Sequence, residues 1–246
     1  MRVSRFFVAQ PLAPEQSVQI EGKAAHYLLR VLKLRAGDSL VLFNGDGSDY
    51  AGEVENTGKD RIAVSVHARL PAVPEPRLQV TLAQAVGKGD RMDYALQKAT
   101  ELGVFAVQPL FTKRTEVRLQ GERLERRRAH WQGVLRSACE QCGRATVPTL
   151  LPARTLDEWQ AEDRSAWRLV LAPGAERTLA ELGPPPGPIT VLVGPEGGFE
   201  EAELRQLQLA ACQEVRLGPR VLRTETAGPA VLAALQTLWG DFGSEG

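Results

Sequence analysis

The strongest structural signal in the sequence is the segment Ile189-Thr190-Val191-Leu192-Val193-Gly194-Pro195-Glu196-Gly197-Gly198-Phe199. Its first five residues are apolar or β-branched, which is typical of a strand buried on both faces of a parallel sheet. The glycines that follow let the backbone turn sharply and approach a ligand closely. The stretch therefore predicts an α/β protein with a ligand at the end of this strand. A tight turn that binds nothing remains the alternative.

The helix predicted to follow, at residues 200–211, begins with Glu200, Glu201 and Glu203. Carboxylates suit the positive end of a helix dipole, but they repel a phosphate placed there. The glycine spacing also departs from G-x-G-x-x-G and from the P-loop pattern. A dehydrogenase or other nucleotide-dependent enzyme is therefore disfavoured. A ligand with a positive centre and an adenosine fits this loop better.

A second motif runs from Leu217 to Gly228, with the sequence LGPRVLRTETAG. A short strand at 214–217 is predicted to end there in Gly-Pro, and Thr224 or Thr226 is a suitable cap for a final helix at 224–239. Arg223 and Glu225 would then lie near the carboxyl edge of the sheet, where open α/β sheets bind ligands. Taken alone, the segment is better explained as a charged loop with a helix cap.

Strands and helices alternate from Arg77 onward, which indicates an α/β layer. Residues 1–70 instead predict a small β-rich unit with a hairpin turn at Asn44-Gly45-Asp46-Gly47. Prolines at 71, 74 and 76 form a stiff connector between the two. The predicted organisation is a domain at 1–70, a Pro-rich linker at 71–76 and a larger domain at 77–246.

The charge of the chain is unevenly distributed, although thirty Lys and Arg balance thirty Asp and Glu. Residues 71–154 hold fourteen basic and eight acidic residues, whereas residues 155–246 hold seven and fourteen. A local basic face attracts phosphate whatever the net charge of the chain. The arginines around the predicted helix at 122–142 therefore indicate either an RNA surface or a solvated helix face.

The remaining composition favours a soluble intracellular protein. No run of residues is apolar enough to span a membrane, the first residues do not resemble a secretion signal, and three cysteines show no disulfide framework. Cys139 and Cys142 spell C-x-x-C, but one pair does not close a tetrahedral zinc site. No metal is expected, and the pair is assigned to packing or to RNA contact.

Taken together, the motifs resemble the RsmE-type methyltransferases of the SPOUT superfamily, which methylate N3 of a uridine in 16S ribosomal RNA of the small subunit. The resemblance covers nearly the whole chain. It implies a PUA-like RNA-binding barrel, a SPOUT domain threaded into a trefoil knot, a cytoplasmic homodimer and S-adenosylmethionine as cofactor. The matching stretches are Val191–Phe199, Leu217–Ala227, Lys98–Val104, Glu140–Arg144 with Val147-Pro148, and His26–Leu32 with Gly37-Asp38.

Roles can also be assigned to individual residues: those of the cofactor loops follow from the resemblance, and the two catalytic roles follow from the chemistry of the acceptor. Arg223 is expected to stabilise the uracil anion that forms when N3 loses its proton, and Glu225 is a candidate proton acceptor. The residues expected to hold the cofactor are Leu171, Ala172, Leu192, Gly194, Pro195, Glu196, Gly197, Leu217, Gly218, Leu222, Thr224, Thr226 and Ala227. Those expected to bind RNA are Arg5, His26, Arg30, Arg114, Arg128, Trp131, Gln141 and Arg144.

Four questions stay open from the sequence alone. A catalytically silent RNA-binding protein would keep the basic residues without needing the glycine turn or the Arg-Thr-Glu-Thr segment. The sequence also leaves open the target nucleotide, the true proton acceptor, and whether the substrate is free RNA or an assembled subunit.

Overall fold

The computed structural model describes residues 3–243 and folds them into two compact units. The first unit contains the chain up to Glu75 together with Cys139–Val147, and the second contains Pro76–Ala138 and the chain from Pro148 onward. Among the described residues, no helix combines the length and the apolar character that a membrane span needs.

The first unit is built on a five-stranded sheet in the order β1-β3-β4-β5-β2. The pair β1 and β3 is parallel and the other pairs are antiparallel. Alternate side chains of these strands point into one apolar core, as the period-2 pattern predicts. The strands are β1 (Ser4–Phe7), β2 (Gln16–Glu21), β3 (Ser39–Phe43), β4 (Ser48–Thr57) and β5 (Arg61–Pro71), and the short helix α1 (Gly22–His26) leads into a π-helical segment, Tyr27–Val31.

A segment distant in sequence completes the first unit. Cys139 and Ala145 are buried against Phe43, which is fully buried itself. The guanidinium of Arg5 donates a hydrogen bond of 2.6 Å to the carbonyl of Cys139, and the backbone N–H of Phe7 donates one to the carboxylate of a neighbouring residue, Glu140. A boundary drawn at the prolines does not include this piece, because the segment joins the unit through tertiary contacts.

The second unit is a seven-stranded sheet in the order β12-β10-β11-β6-β7-β8, with β9 also paired to β7. Every pairing in it is parallel. This confirms the predicted α/β architecture with a parallel sheet. Its strands and helices are β6 (Val80–Ala85), α2 (Arg91–Glu101), β7 (Ala106–Phe111), α3 (Gly121–Cys142), β8 (Thr149–Leu150), β9 (Arg154–Thr155), α4 (Leu156–Glu162), β10 (Trp167–Leu171), β11 (Ile189–Val193), α5 (Glu201–Leu209), β12 (Gln213–Val215) and α6 (Thr224–Trp239).

Strand β11 lies inside the sheet between β10 and β6, and all five of its residues are buried. Val191 pairs in register with Leu169 on one side and Leu82 on the other. Because β10, β11 and β12 run in the same direction, their carboxyl ends meet at one edge of the sheet. That edge carries the site described next, while the trefoil threading of the chain stays a prediction.

Candidate active site

A cavity of about 560 Å³ lies at this edge, where β10, β11 and β12 end. Three segments form most of its walls: Leu171–Pro173 at the end of β10, residues from Val193 to Phe199 at the end of β11, and residues from Val215 to Ala227 at the end of β12. Arg91 and Leu204 complete the lining. Ligands of open parallel sheets bind at the carboxyl ends of strands, and this volume falls within the usual range for small-molecule sites. The two sequence motifs therefore meet around one cavity.

The loop after β11 needs glycine at two positions for different reasons. A Cβ on Gly194 would lie 3.2 Å from the ring of Phe199, so a side chain would crowd the turn. Gly198 has a φ of +69°, which side-chain-bearing residues rarely adopt. The turn closes through a hydrogen bond of 2.9 Å from the Gly198 N–H to the Pro195 carbonyl. The backbone thus bends directly beside the cavity.

The acidic residues after this loop build the start of helix α5. The carboxylate of Glu203 accepts the backbone N–H of Glu200 at 2.8 Å, and the two form a capping box. The same carboxylate accepts the N–H of Lys113 at 2.9 Å. Next to it, Arg114 donates a hydrogen bond of 2.8 Å to the carbonyl of Gly197. Lys113 and Arg114, in the loop after β7, therefore stabilise the loop after β11 and the start of α5 through these two hydrogen bonds.

A buried hydroxyl joins the two loops of the cavity. The Oγ1 of Thr224, the first residue of α6, donates to the carbonyl of Gly194 at 2.7 Å. The same oxygen accepts the side-chain amide of Gln84 at 2.9 Å. Thr224 and Gln84 are both buried, so little water competes for these bonds. These two hydrogen bonds, from Gln84 to Thr224 and from Thr224 to Gly194, fix the start of α6 against the loop after β11.

Charged groups line one wall of the cavity. Arg91 forms an ion pair with Glu196 at 2.5 Å, and its Nε lies 3.9 Å from Oε2 of Glu225. Burial acts to raise the pKa of Glu196, but hydrogen bonds from its own backbone, from Arg91 and from the Lys88 N–H outweigh burial and lower the pKa. Glu196 is therefore ionised, and Arg91 compensates much of its charge.

The proposed catalytic residues both border the cavity. Arg223 is exposed, and its guanidinium has no hydrogen bond or ion pair with any of residues 3–243. The side chain of Glu225 is only 16% exposed. Its Oε2 accepts no hydrogen bond in the described part of the chain. An unpaired cation and a carboxylate with one buried, unbonded oxygen thus border the same cavity, an arrangement suited to moving a proton and holding negative charge.

Of the thirteen residues assigned to the cofactor, ten line the cavity and three do not. Leu192 is wholly buried in a core cluster with Val170 and Leu207, because alternate residues of β11 point away from the cavity. Gly197 lies outside the lining and faces Arg114. Thr226 borders a neighbouring cavity instead. The assigned residues that line the cavity are Leu171, Ala172, Gly194, Pro195, Glu196, Leu217, Gly218, Leu222, Thr224 and Ala227.

Sequence reasoning missed Arg91 and Gln84. Arg91 follows the turn after β6, the strand next to β11, so the strand-end rule that selected Arg223 also applies to it. Gln84 carried a different signal, since it is a polar residue in a strand whose other residues are mostly apolar. A buried amide of this kind is expected to have a specific hydrogen-bond partner.

Three of the residues assigned to RNA are corrected by the structure. Trp131 is 0% exposed, because it lies on the core face of α3, and its ring is not accessible to a base. Arg144 is 5% exposed and forms an ion pair with Glu75. Arg5 forms an ion pair with Asp49 at 2.6 Å and is mostly buried. The local sequence shows charge and aromaticity at these positions, but burial depends on tertiary packing.

The remaining RNA candidates are more accessible. His26, Arg30, Arg114 and Gln141 are exposed. Arg128 is partly buried and lies 3.6 Å from Glu125. The exposed arginines of α3 are Arg123 and Arg126. No group of His, Cys, Asp and Glu side chains within residues 3–243 is arranged to hold a metal ion, and Cys139, Cys142 and Cys212 are free thiols.

Comparisons with known proteins cover almost the full chain. The model of the RNA methyltransferase domain matches residues 74–236, and that of the RNA methyltransferase PUA domain matches residues 20–66. The ribosomal RNA small subunit methyltransferase E of Mycobacterium bovis is 33% identical over 225 residues, covering 89% of this chain and 86% of the relative.

Solved structures agree with these matches. The ribosomal RNA small subunit methyltransferase E of Neisseria gonorrhoeae, bound to S-adenosylmethionine, is 38% identical with a TM-score of 0.91, over 98% of this chain and 100% of that one. A Legionella pneumophila protein in complex with the same cofactor is 34% identical with a TM-score of 0.95, at the same coverage.

Proposed function

Because the chain belongs to the ribosomal RNA small subunit methyltransferase E family of RNA methyltransferases, we propose that it transfers the methyl group of S-adenosylmethionine to N3 of one uridine in 16S ribosomal RNA. The family and the cofactor class are those that the sequence motifs predict. The nucleotide and the atom are part of the proposal.

One observation carries the proposal: two glycine-containing loops that follow different strands close around a single cavity, and the hydroxyl of Thr224 joins them. Apart from its one charged wall, the cavity is lined by backbone and apolar groups, as expected for a site that holds an adenosine and an amino-acid chain. The start of α5 is closed by a capping box of two glutamates, Glu200 and Glu203, which disfavours a phosphate at that helix end.

We assign the cofactor to the loops after β10, β11 and β12, with Gly194, Pro195, Leu217 and Gly218 approaching it through the backbone. When bound, the cofactor supplies an electrophilic methyl group on a cationic sulfur. Glu225 is better placed than Glu196 to stabilise that positive charge. Arg91 is in direct contact with Glu196 and compensates its charge, whereas it lies 3.9 Å from Glu225 and compensates that carboxylate less.

The protein's own groups are assigned to the acceptor. N3 of uracil carries a proton at neutral pH and must lose it before it becomes a good nucleophile. The carboxylate of Glu225 accepts that proton, and the cationic Arg223 stabilises the negative charge left on the ring. Arg223 suits this task because it has no competing anion among the described residues.

Exposed basic residues support RNA binding by each unit considered separately. In the first unit we assign His26 and Arg30, and in the second Arg114 with the exposed arginines of α3. We further propose a cytoplasmic homodimer with a trefoil-knotted second domain, a functional division into residues 1–70, 71–76 and 77–246, and no requirement for a metal.

The test uses small ribosomal subunits from cells that lack this protein, incubated with the purified chain and methyl-labelled S-adenosylmethionine. We expect stoichiometric label at one uridine, located by nuclease digestion and mass spectrometry, with a mass shift confined to the base. Parallel reactions with free 16S RNA decide between the two substrate forms.

Calorimetry separates this function from its alternatives. We expect binding of S-adenosylmethionine in the micromolar range and no binding of NAD. Cofactor binding without methyl transfer to either substrate form would support the silent RNA-binding protein instead. Label on a ribose, or on a base other than uracil, would contradict the proposed acceptor.

A further inference from the structure

A second cavity, of about 670 Å³, adjoins the first between the beginning of α2 and the beginning of α6. Arg91, Arg223 and Glu225 line both cavities and so form their common wall. Tyr94 and Thr226 line only the second. A ligand in the second cavity would therefore contact the same charged groups that border the first.

Tyr94 is the notable residue of this cavity. It lies three residues after Arg91 on α2, so both side chains occupy the same face of that helix. Tyr94 is 49% exposed, and its ring has no aromatic or cationic partner among residues 3–243. An aromatic ring that stays open beside charged groups offers a stacking surface for a planar ligand.

The charges of this cavity argue against a phosphate as its occupant. Lys88 forms an ion pair with Glu116, and Arg91 forms one with Glu196. Arg223 is the remaining cation of the lining, and Asp90 and Glu225 add negative charge. A neutral planar group with one acidic N–H matches an open aromatic ring, one unpaired arginine and one incompletely satisfied carboxylate better than a polyanion does.

We propose that the second cavity binds the acceptor pyrimidine, unpaired from the RNA, with Tyr94 stacking on its face; this inference rests on the proposed function. Stacking directs the edge of the base toward the common wall, where Arg223 and Glu225 lie next to the cofactor cavity. Tyr94 is thus a substrate-binding residue that orients the base, and neither the fold nor the cofactor needs its ring.

The test compares Tyr94→Ala and Tyr94→Phe with the control Phe105→Ala. Phe105 is similarly exposed, at 51%, but it precedes β7 at the opposite edge of the sheet. We expect Tyr94→Ala to lower kcat/KM for unmethylated small subunits about tenfold to a hundredfold, as loss of one base stack does. Tyr94→Phe keeps the ring and should retain most of the activity. Cofactor affinity should not change in any variant.

Three results for Tyr94→Ala would overturn the inference. The first is full activity. The second is a loss of cofactor affinity that parallels the loss of activity, and the third is a changed molecular mass in sedimentation; these two would assign Tyr94 to packing or to subunit contact. Photocrosslinking of 16S RNA that contains 5-iodouridine gives a readout independent of turnover. An inactive wild-type protein would end the proposed function, yet a crosslink mapped to Tyr94 would still support the base site. A crosslink map without α2 would contradict it.

Discussion

Replacing Thr224 with valine tests whether the cavity depends on the buried hydroxyl. Valine keeps the shape of threonine but removes the oxygen that bonds the Gly194 carbonyl at 2.7 Å and the Gln84 amide at 2.9 Å. Gln84 is 2% exposed, so its amide loses a partner that water does not replace. The Gly194 carbonyl borders the cavity, where water restores part of the loss. The net cost should be about 2 kcal/mol.

Two measurements follow from that figure. The melting temperature of the cofactor-free protein should fall by about 4–8 °C for a chain of this length. If the whole cost fell on the cofactor-bound state, the Kd for S-adenosylmethionine would rise by at most roughly thirtyfold. Calorimetry measures both quantities on the same preparation.

The matched control is Thr224→Ser, which keeps the hydroxyl and loses only a methyl group. We expect it to melt and bind close to wild type. If Thr224→Val also matched wild type in melting temperature and in cofactor affinity, the bond between the loops would be incidental and the reasoning refuted.

Three further predictions concern charge and reactivity. Arg223→Ala should lower single-turnover methyl transfer by about a hundredfold or more with cofactor affinity retained, because it removes one charge-stabilising donor; undiminished transfer would show that the role is misassigned. Burial acts to raise the pKa of Glu196, but hydrogen bonds hold it below the ordinary value of 4.5. The ion pair of Glu196 therefore stabilises the fold above pH 4.5, and this stabilisation is lost as the pH falls through the lowered pKa. Glu196→Gln should therefore lose less stability than wild type in acid unfolding, and parallel curves would refute this. Burial raises the pKa of Cys139 to about 12 and of Cys212 to about 11. A thiol reagent at pH 8 should label only Cys142 in the folded protein and all three in denaturant; fast labelling of a second thiol would contradict the burial.

Much of the second unit could be predicted because its signals are local. The run at 189–193 is apolar or β-branched at every position, and it forms β11 with those same bounds. The final helix, predicted at 224–239, is observed as Thr224–Trp239. Strand ends then place the ligand-facing loops together, since parallel strands share a carboxyl edge.

Other parts could not be predicted because they depend on tertiary contacts. Strand β1, with the sequence Ser-Arg-Phe-Phe, lacks a clear alternation and is stabilised by its pairing with β3 in the first sheet. Trp131 and Arg144 have the residue types of an RNA surface, yet one lies in the core and the other pairs with Glu75 inside the first unit. Charge and aromaticity are local properties, whereas accessibility is decided by distant parts of the chain.

The composition of the first unit bears on how this protein is made. Its core includes Cys139 and Ala145, which are synthesised long after the strand that ends at Phe43. A ribosome must therefore release well over half of the chain before the last apolar side chains of that unit can be covered. A fragment that stops at Glu75 would expose Phe43 to water and leave Arg5 without the Cys139 carbonyl. Folding of this N-terminal unit is thus completed late, only after the chain has passed through the beginning of the larger one.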